Sequence, residues 1–183
     1  MIRKSAIDVY LPELAGLLDR WRVPTVAVAA KGMPPHITVL YPWRPGPLQA
    51  SDLADAAAAV ADLPPFALTL LRLGRFPGVL YLRPEPDDDL RALTRRLADA
   101  FPDTPPYGGQ FPDPTPHLTV ATAATEGELD RIEAEVSAHL GPHLPLTLTI
   151  STLAIEEEGS DGMWSVRATI ALMGEVGRTR DDA

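Results

Sequence analysis

Two short matching strings hold the residues of this chain best suited to chemistry: Pro34-Pro35-His36-Ile37-Thr38-Val39 and Thr115-Pro116-His117-Leu118-Thr119-Val120. An imidazole titrates near pH 6.5, so it can hold or release a proton close to neutrality. Two imidazoles beside one phosphorus centre can divide a displacement between them. One removes the proton of the attacking oxygen, and the other protonates the leaving oxygen. Threonine hydroxyls beside them can donate to the phosphoryl oxygens, where negative charge gathers. Side chains alternate faces along a strand. His36 and Thr38 then share one face and Ile37 and Val39 the other, and His117, Thr119, Leu118 and Val120 divide in the same way. A lone histidine beside a threonine is an ordinary polar residue of an amphipathic strand. Two such pairs, each entered through proline and together holding half of the four histidines in the chain, read as one paired site.

The elements that must carry these residues follow from periodicity and punctuation. Leu14, Leu17, Leu18 and Trp21 predict a helix over Tyr10–Trp21, with Pro12 in its first turn and Pro24 beyond its end. Thr25–Ala30 and His36–Tyr41 read as strands. Ser51–Asp62 reads as a second helix, and Phe66–Leu73 and Val79–Arg83 as two strands joined by a turn around Gly74 to Gly78. Asp87, Asp88 and Asp89 open a third helix, where acids favour the positive end of the dipole. Residues 102–116 are a loop rich in proline and glycine. His117–Thr122 is a strand, and Thr125-Glu126-Gly127-Glu128 is a capping box for a fourth helix that stops at Gly141. Leu144–Ile155 and Met163–Leu172 read as a closing hairpin with Glu156, Glu157 and Glu158 at its solvated tip. The last ten residues read as a frayed polar tail.

This order repeats. A helix, a His-x-Thr strand, a helix and two strands occur twice within a single domain spanning 1–183, the first copy over about 10–83 and the second over about 87–172. Each copy alone would expose an apolar sheet face, so the two are expected to pack as a pseudo-twofold pair, with equivalent strands facing across a cleft. The totals narrow the function. The chain has 183 residues, no cysteine and a formal charge of −9. Disulfides, thiolate nucleophiles and cysteine-bound zinc are excluded, and a reducing cytoplasm suits the composition. No secretory h-region and no run of apolar residues long enough to span a membrane are expected. An acidic chain lacks the basic face that extended nucleic acid requires, which points to a small anion or the end of an RNA.

The strings Pro-Pro-His36-Ile-Thr38-Val-Leu-Tyr41-Pro, Gly74-Arg75-Phe76-Pro77-Gly78-Val79-Leu80-Tyr81-Leu82, Pro106-Tyr107-Gly108-Gly109 and Pro116-His117-Leu-Thr119-Val-Ala together resemble the 2H phosphoesterase superfamily. More narrowly, they resemble bacterial proteins of the 2′-5′ RNA ligase and cyclic phosphodiesterase group. The resemblance covers roughly residues 23–172. It implies an α+β fold of two lobes, with two antiparallel sheets around a cleft, helices outside, no metal and no cofactor. It also implies opening of 2′,3′-cyclic or related cyclic nucleotide phosphates, or joining and splitting of 2′-5′ RNA linkages. His36 and His117 match the family's catalytic positions, and Thr38 and Thr119 its phosphate-binding positions. The expected partner is a small nucleotide or an RNA terminus with a cyclic phosphate, bound by a monomer without a membrane.

Other residues carry open alternatives. Tyr41 either reaches the cleft mouth or points away from it. Arg75 is a phosphate contact or a solvated turn residue. Tyr107, between proline and two glycines, stacks on a base or belongs to a plain loop. Phe76 and Trp43 are stacking surfaces or buried loop anchors, and His139 and His143 read as surface residues. A nucleotide-binding module without turnover is the competing reading. A metal hydrolase is the weaker one, for the chain has no ligand motif such as His-Glu-x-x-His.

Overall fold

The computed structural model describes residues 4–174, and the frayed tail expected at the C-terminus lies almost wholly outside them. Two four-stranded antiparallel sheets form the α+β fold that the resemblance implies. The first has the order β2-β1-β7-β8 and the second β5-β4-β3-β6. These strands are β1 (Ser5–Tyr10), β2 (His36–Leu40), β3 (Phe66–Phe76), β4 (Val79–Pro84), β5 (Leu118–Thr122), β6 (Leu146–Ile150), β7 (Thr152–Glu158) and β8 (Trp164–Ala171). The helices are α1 (Ala15–Thr25), α2 (Ala27–Ala30), α3 (Ala50–Val60), α4 (Asp88–Ala100) and α5 (Glu126–Leu140). Each motif strand lies at the edge of its sheet, and β2 and β5 approach within 8 Å between Cα atoms.

Strands cross between the two halves of the sequence. β3 pairs with β4 and β6 in the second sheet, while β7 pairs with β1 in the first, joining Ser5 to Glu157. Helix α1 packs on β5 and α4 on β2, so each motif strand is backed by a helix from the other half. One continuous apolar cluster runs through both sheets, from Ile7, Ile37 and Val39 to Leu82, Leu118 and Val120.

Three expected elements change. The helix read over Tyr10–Trp21 begins later, because Ser5–Tyr10 is a buried strand and only a 3-10 turn at Pro12–Leu14 precedes α1. The strand expected over Thr25–Ala30 is helical: α1 runs through Pro24, and α2 follows. The Thr25 hydroxyl donates to the Trp21 carbonyl at 2.6 Å, and the Val26 amide donates to that of Arg22 at 2.7 Å, closing the end of the helix without the missing proline N–H. The segment read as one strand over Leu144–Ile155 divides at Ser151, where the chain passes from the second sheet to the first. Glu156 and Glu157 therefore lie inside β7 and are buried, instead of at a solvated tip.

Candidate active site

Proline breaks the chain before each motif and aims it into an edge strand. In both strands the expected alternation holds: His36, Thr38, His117 and Thr119 are half-buried, while Ile37, Val39, Leu118 and Val120 are buried. The two histidines are anchored identically. His36 Nδ1 lies 2.8 Å from the carbonyl of Pro34, and His117 Nδ1 lies 2.8 Å from that of Thr115. A carbonyl only accepts, so each Nδ1 carries the hydrogen and each Nε2 is left as the acceptor of the neutral ring. The rings are near enough for a charge on His36 to disfavour one on His117.

Their surroundings differ. His117 is boxed by aromatic rings, Phe76 edge-on at 5.1 Å and Tyr81 at 5.5 Å, and these two stack on each other at 4.4 Å. Burial lowers the pKa of His117 from its ordinary value, the Thr115 hydrogen bond opposes this, and the His36 charge adds to it. Gly74 makes the box possible, because a Cβ there would stand 2.6 Å from the Tyr81 ring. His36 faces Tyr10 across the β1–β2 ladder, with ring centroids 6.5 Å apart, and Thr38 faces Asp8. Asp8 is fully buried, with Glu156 beside it.

Arg22 joins the two motif strands. Its buried guanidinium donates from Nε to the Thr119 carbonyl at 3.1 Å and from Nη2 to the Pro34 carbonyl at 3.0 Å, the same oxygen that anchors His36. Nη1 pairs with Asp19 at 3.0 Å.

Tyr107 closes the site from the proline-rich loop. Its backbone takes a left-handed φ of 53°, uncommon for tyrosine, and its amide donates to the Tyr41 carbonyl at 2.6 Å. Burial, with the nearby Asp8 charge, pushes its hydroxyl up to about 12, and Thr38 acts in the opposite sense. Tyr107, Phe111, Phe76, Pro114 and His117 line a largely apolar cavity of about 360 Å³.

The remaining expected residues lie elsewhere. Tyr41 places its carbonyl under Tyr107 but turns its ring towards Trp164, 6.2 Å away. The Arg75 guanidinium is taken up by Glu126, Asp130 and Glu133 of α5. Trp43 is a buried anchor against Phe101, and His139 packs on Trp21. Asp8, Tyr10 and Arg22 border the site without any motif to mark them, Tyr81 stands in a string quoted only for its resemblance, and Glu156 reads from the sequence as part of a solvated tip. The acid interrupting the apolar run Ala6-Ile7-Asp8-Val9 is the one signal the sequence holds for Asp8.

Two antiparallel sheets with facing His-x-Thr edge strands define a class of protein, and comparison gives that class its family. The chain belongs to the 2′-5′ RNA ligase superfamily, whose model matches residues 11–162. It is 26% identical over 150 residues to a Bacillus pumilus (strain SAFR-032) protein named "Putative phosphoesterase", covering 79% of this chain and 82% of that one. A Geobacillus thermodenitrificans (strain NG80-2) protein of the same name is 23% identical over 148 residues, covering 78% and 81%. The fold matches crystal structures of E. coli LigT complexed with 3′-AMP (TM-score 0.61, 16% identity, 94% of this chain and 99% of that one) and of TT0787 from Thermus thermophilus (0.58, 19%, 94% and 100%). Among the described residues, no helix is long and apolar enough to cross a membrane.

Proposed function

We propose that this protein is a phosphodiesterase that opens 2′,3′-cyclic or related cyclic nucleotide phosphates, with His36 and His117 as its acid and base. The observation that carries the reading is the matched pair of Nδ1 anchors, which leaves one free Nε2 on each of two facing edge strands. Burial favours the neutral ring of His117, so it acts as base, and the acid's role falls to His36. His117 Nε2 takes a proton from water as the oxygen bonds to phosphorus. The bond to the leaving ribose oxygen breaks, and His36 Nε2–H protonates that oxygen. Thr38 and Thr119 donate to the non-bridging oxygens. The aromatic cavity beside His117 suits a nucleobase, which stacks on ring faces whatever its identity. Attack by a ribose hydroxyl in place of water would run the same transfers towards a 2′-5′ RNA linkage.

The test is a panel of nucleoside 2′,3′-cyclic phosphates, 2′-5′ dinucleotides and RNA ends, with product regiochemistry read by phosphorus NMR. His36→Ala and His117→Ala should each lower turnover by roughly 10²–10⁴-fold, the usual worth of one acid or base. The double variant should be little worse than either single one, because the pair acts as a unit. Tight nucleotide binding without any product would favour a binding module instead. Paired imidazoles supply both proton transfers, so turnover should survive exhaustive EDTA treatment. Activity lost to the chelator and restored by a divalent metal would overturn this mechanism.

A further inference from the structure

The two motif strands have matched neighbours. Across the β1–β2 ladder Thr38 pairs with Asp8, and across the β4–β5 ladder Thr119 pairs with Tyr81. Asp8 and Tyr81 therefore occupy equivalent positions behind equivalent threonines. The Tyr81 hydroxyl lies over Gly74 of β3, on the side away from Thr119. Asp8 is an acid with no exposed surface, and among the described residues neither of its oxygens has a partner of full hydrogen-bond geometry, Thr38 and Glu156 being the side chains in reach. The groups facing it are His36 and Thr38 on β2, Glu156 on β7 and Tyr107 from the proline-rich loop.

We infer that Asp8 is a positioning residue that works protonated, donating to the Thr38 oxygen so that the Thr38 hydrogen is free for the phosphoryl group. This rests on the reading of Thr38 as a phosphate contact. An ionised Asp8 would do the opposite. It would accept the Thr38 hydrogen, turning that donor away from the ligand, and would set a buried negative charge behind the anion. A neutral acid leaves the Thr38 hydrogen free and adds no charge behind the ligand. Burial, the largest influence on Asp8, favours its neutral form. The charge of His36 and the contacts with Glu156 and Thr38 oppose it. A bound phosphate adds negative charge and strengthens the case for the proton.

The experiment measures inorganic phosphate binding by calorimetry from pH 6 to 9, with turnover of a 2′,3′-cyclic nucleotide measured alongside. Asp8→Asn keeps a neutral donor and should stay within about threefold of wild type in both, while Asp8→Ala should weaken phosphate binding about tenfold, the worth of one hydrogen bond to a charged group. The fall in affinity towards alkaline pH should be shallower in Asp8→Asn than in wild type. Loss in Asp8→Asn as deep as in Asp8→Ala, or wild-type affinity that improves as Asp8 ionises, overturns the inference. If the variants do not fold, infrared difference spectra of wild type decide. Adding phosphate at neutral pH should perturb the band of a protonated carboxyl that remains when Glu156 is changed to Gln, and absence of that band overturns the inference. Phosphate binding with this pattern but no turnover would sink the proposed phosphodiesterase and leave the Asp8 assignment standing. No phosphate binding at all would sink both.

Discussion

His36 and His117 are held by the same hydrogen bond and sit in different media. Phe76 and Tyr81 wrap one, while Tyr10 and the buried acids stand near the other. Burial favours neutral His117, so protonation of the free enzyme's base should occur below pH 6.5. The rising limb of kcat/KM against pH is expected in that range. Phe76→Ala should open the box and move the limb up towards pH 6.5. A limb unmoved by that change would remove the aromatic box as its cause. The sign for stability follows the same rule: a depressed histidine contributes above its unfolded pKa, and that contribution fades as pH falls through the folded one. At this scale His36, Thr38, His117 and Thr119 were legible because residue type and a period of two suffice to place them. Asp8 and Tyr81 were not, since their meaning comes from which residue of a neighbouring strand they oppose.

At the scale of elements, α1 is the piece that sets the distance between the motif strands. Arg22 reaches both of them, and the Thr122 amide donates to the Thr25 hydroxyl at 3.2 Å, stitching the end of the helix to β5. Arg22→Met should leave the Thr119 carbonyl without its Arg22 donor and destabilise the fold by about 1–3 kcal/mol, the cost of leaving such a group unpaired. It should also lower kcat, because His36 shares its anchoring oxygen with Arg22. Urea midpoints and turnover check the two effects separately, and unchanged values in both would make Arg22 a bystander. This bridge was hidden in the sequence for a local reason. Pro24 reads as a terminator, and Thr25-Val26-Ala27-Val28 alternates like a strand, yet side-chain and backbone contacts carry the helix through. The opening strand was hidden too, since Tyr10 precedes a helical spacing of leucines and Ser5–Tyr10 is six residues long, buried on both faces and without alternation. Helices α3, α4 and α5 were legible because acids or a capping threonine mark their first turns and their apolar stripes run unbroken.

The whole molecule carries a charge of −9, and a polyanion gains nothing from such a surface. KM for a long RNA ending in a cyclic phosphate should be no lower than for the mononucleotide, and raising salt should not weaken its binding. A steep loss of affinity with salt would reveal a basic groove. Stability carries a second global signature. Burial and the neighbouring Asp8 push Glu156 from 4.5 up to about 10. A raised acid contributes fully below its unfolded pKa, and the contribution is lost as pH rises through the folded value. Glu156→Gln should therefore matter little below pH 4.5 and raise the melting temperature increasingly towards alkaline pH. The gain there should exceed about 1.4 kcal/mol, a tenfold change in the folding equilibrium. A melting temperature with the same pH dependence as wild type would place the penalty elsewhere. The exchange of the β3–β4 and β7–β8 pairs between the two halves has a consequence for how the chain comes together. The first sheet cannot close until β1 meets β7 from the other end of the chain, nor the second until β3 meets β6, so productive pairing waits on distant contacts. Folding should be slow for the chain's size and all-or-none, with probes placed in either sheet reporting one rate. Two fragments divided at the β3–β4 turn should each stay unstructured alone and regain the native spectrum when mixed.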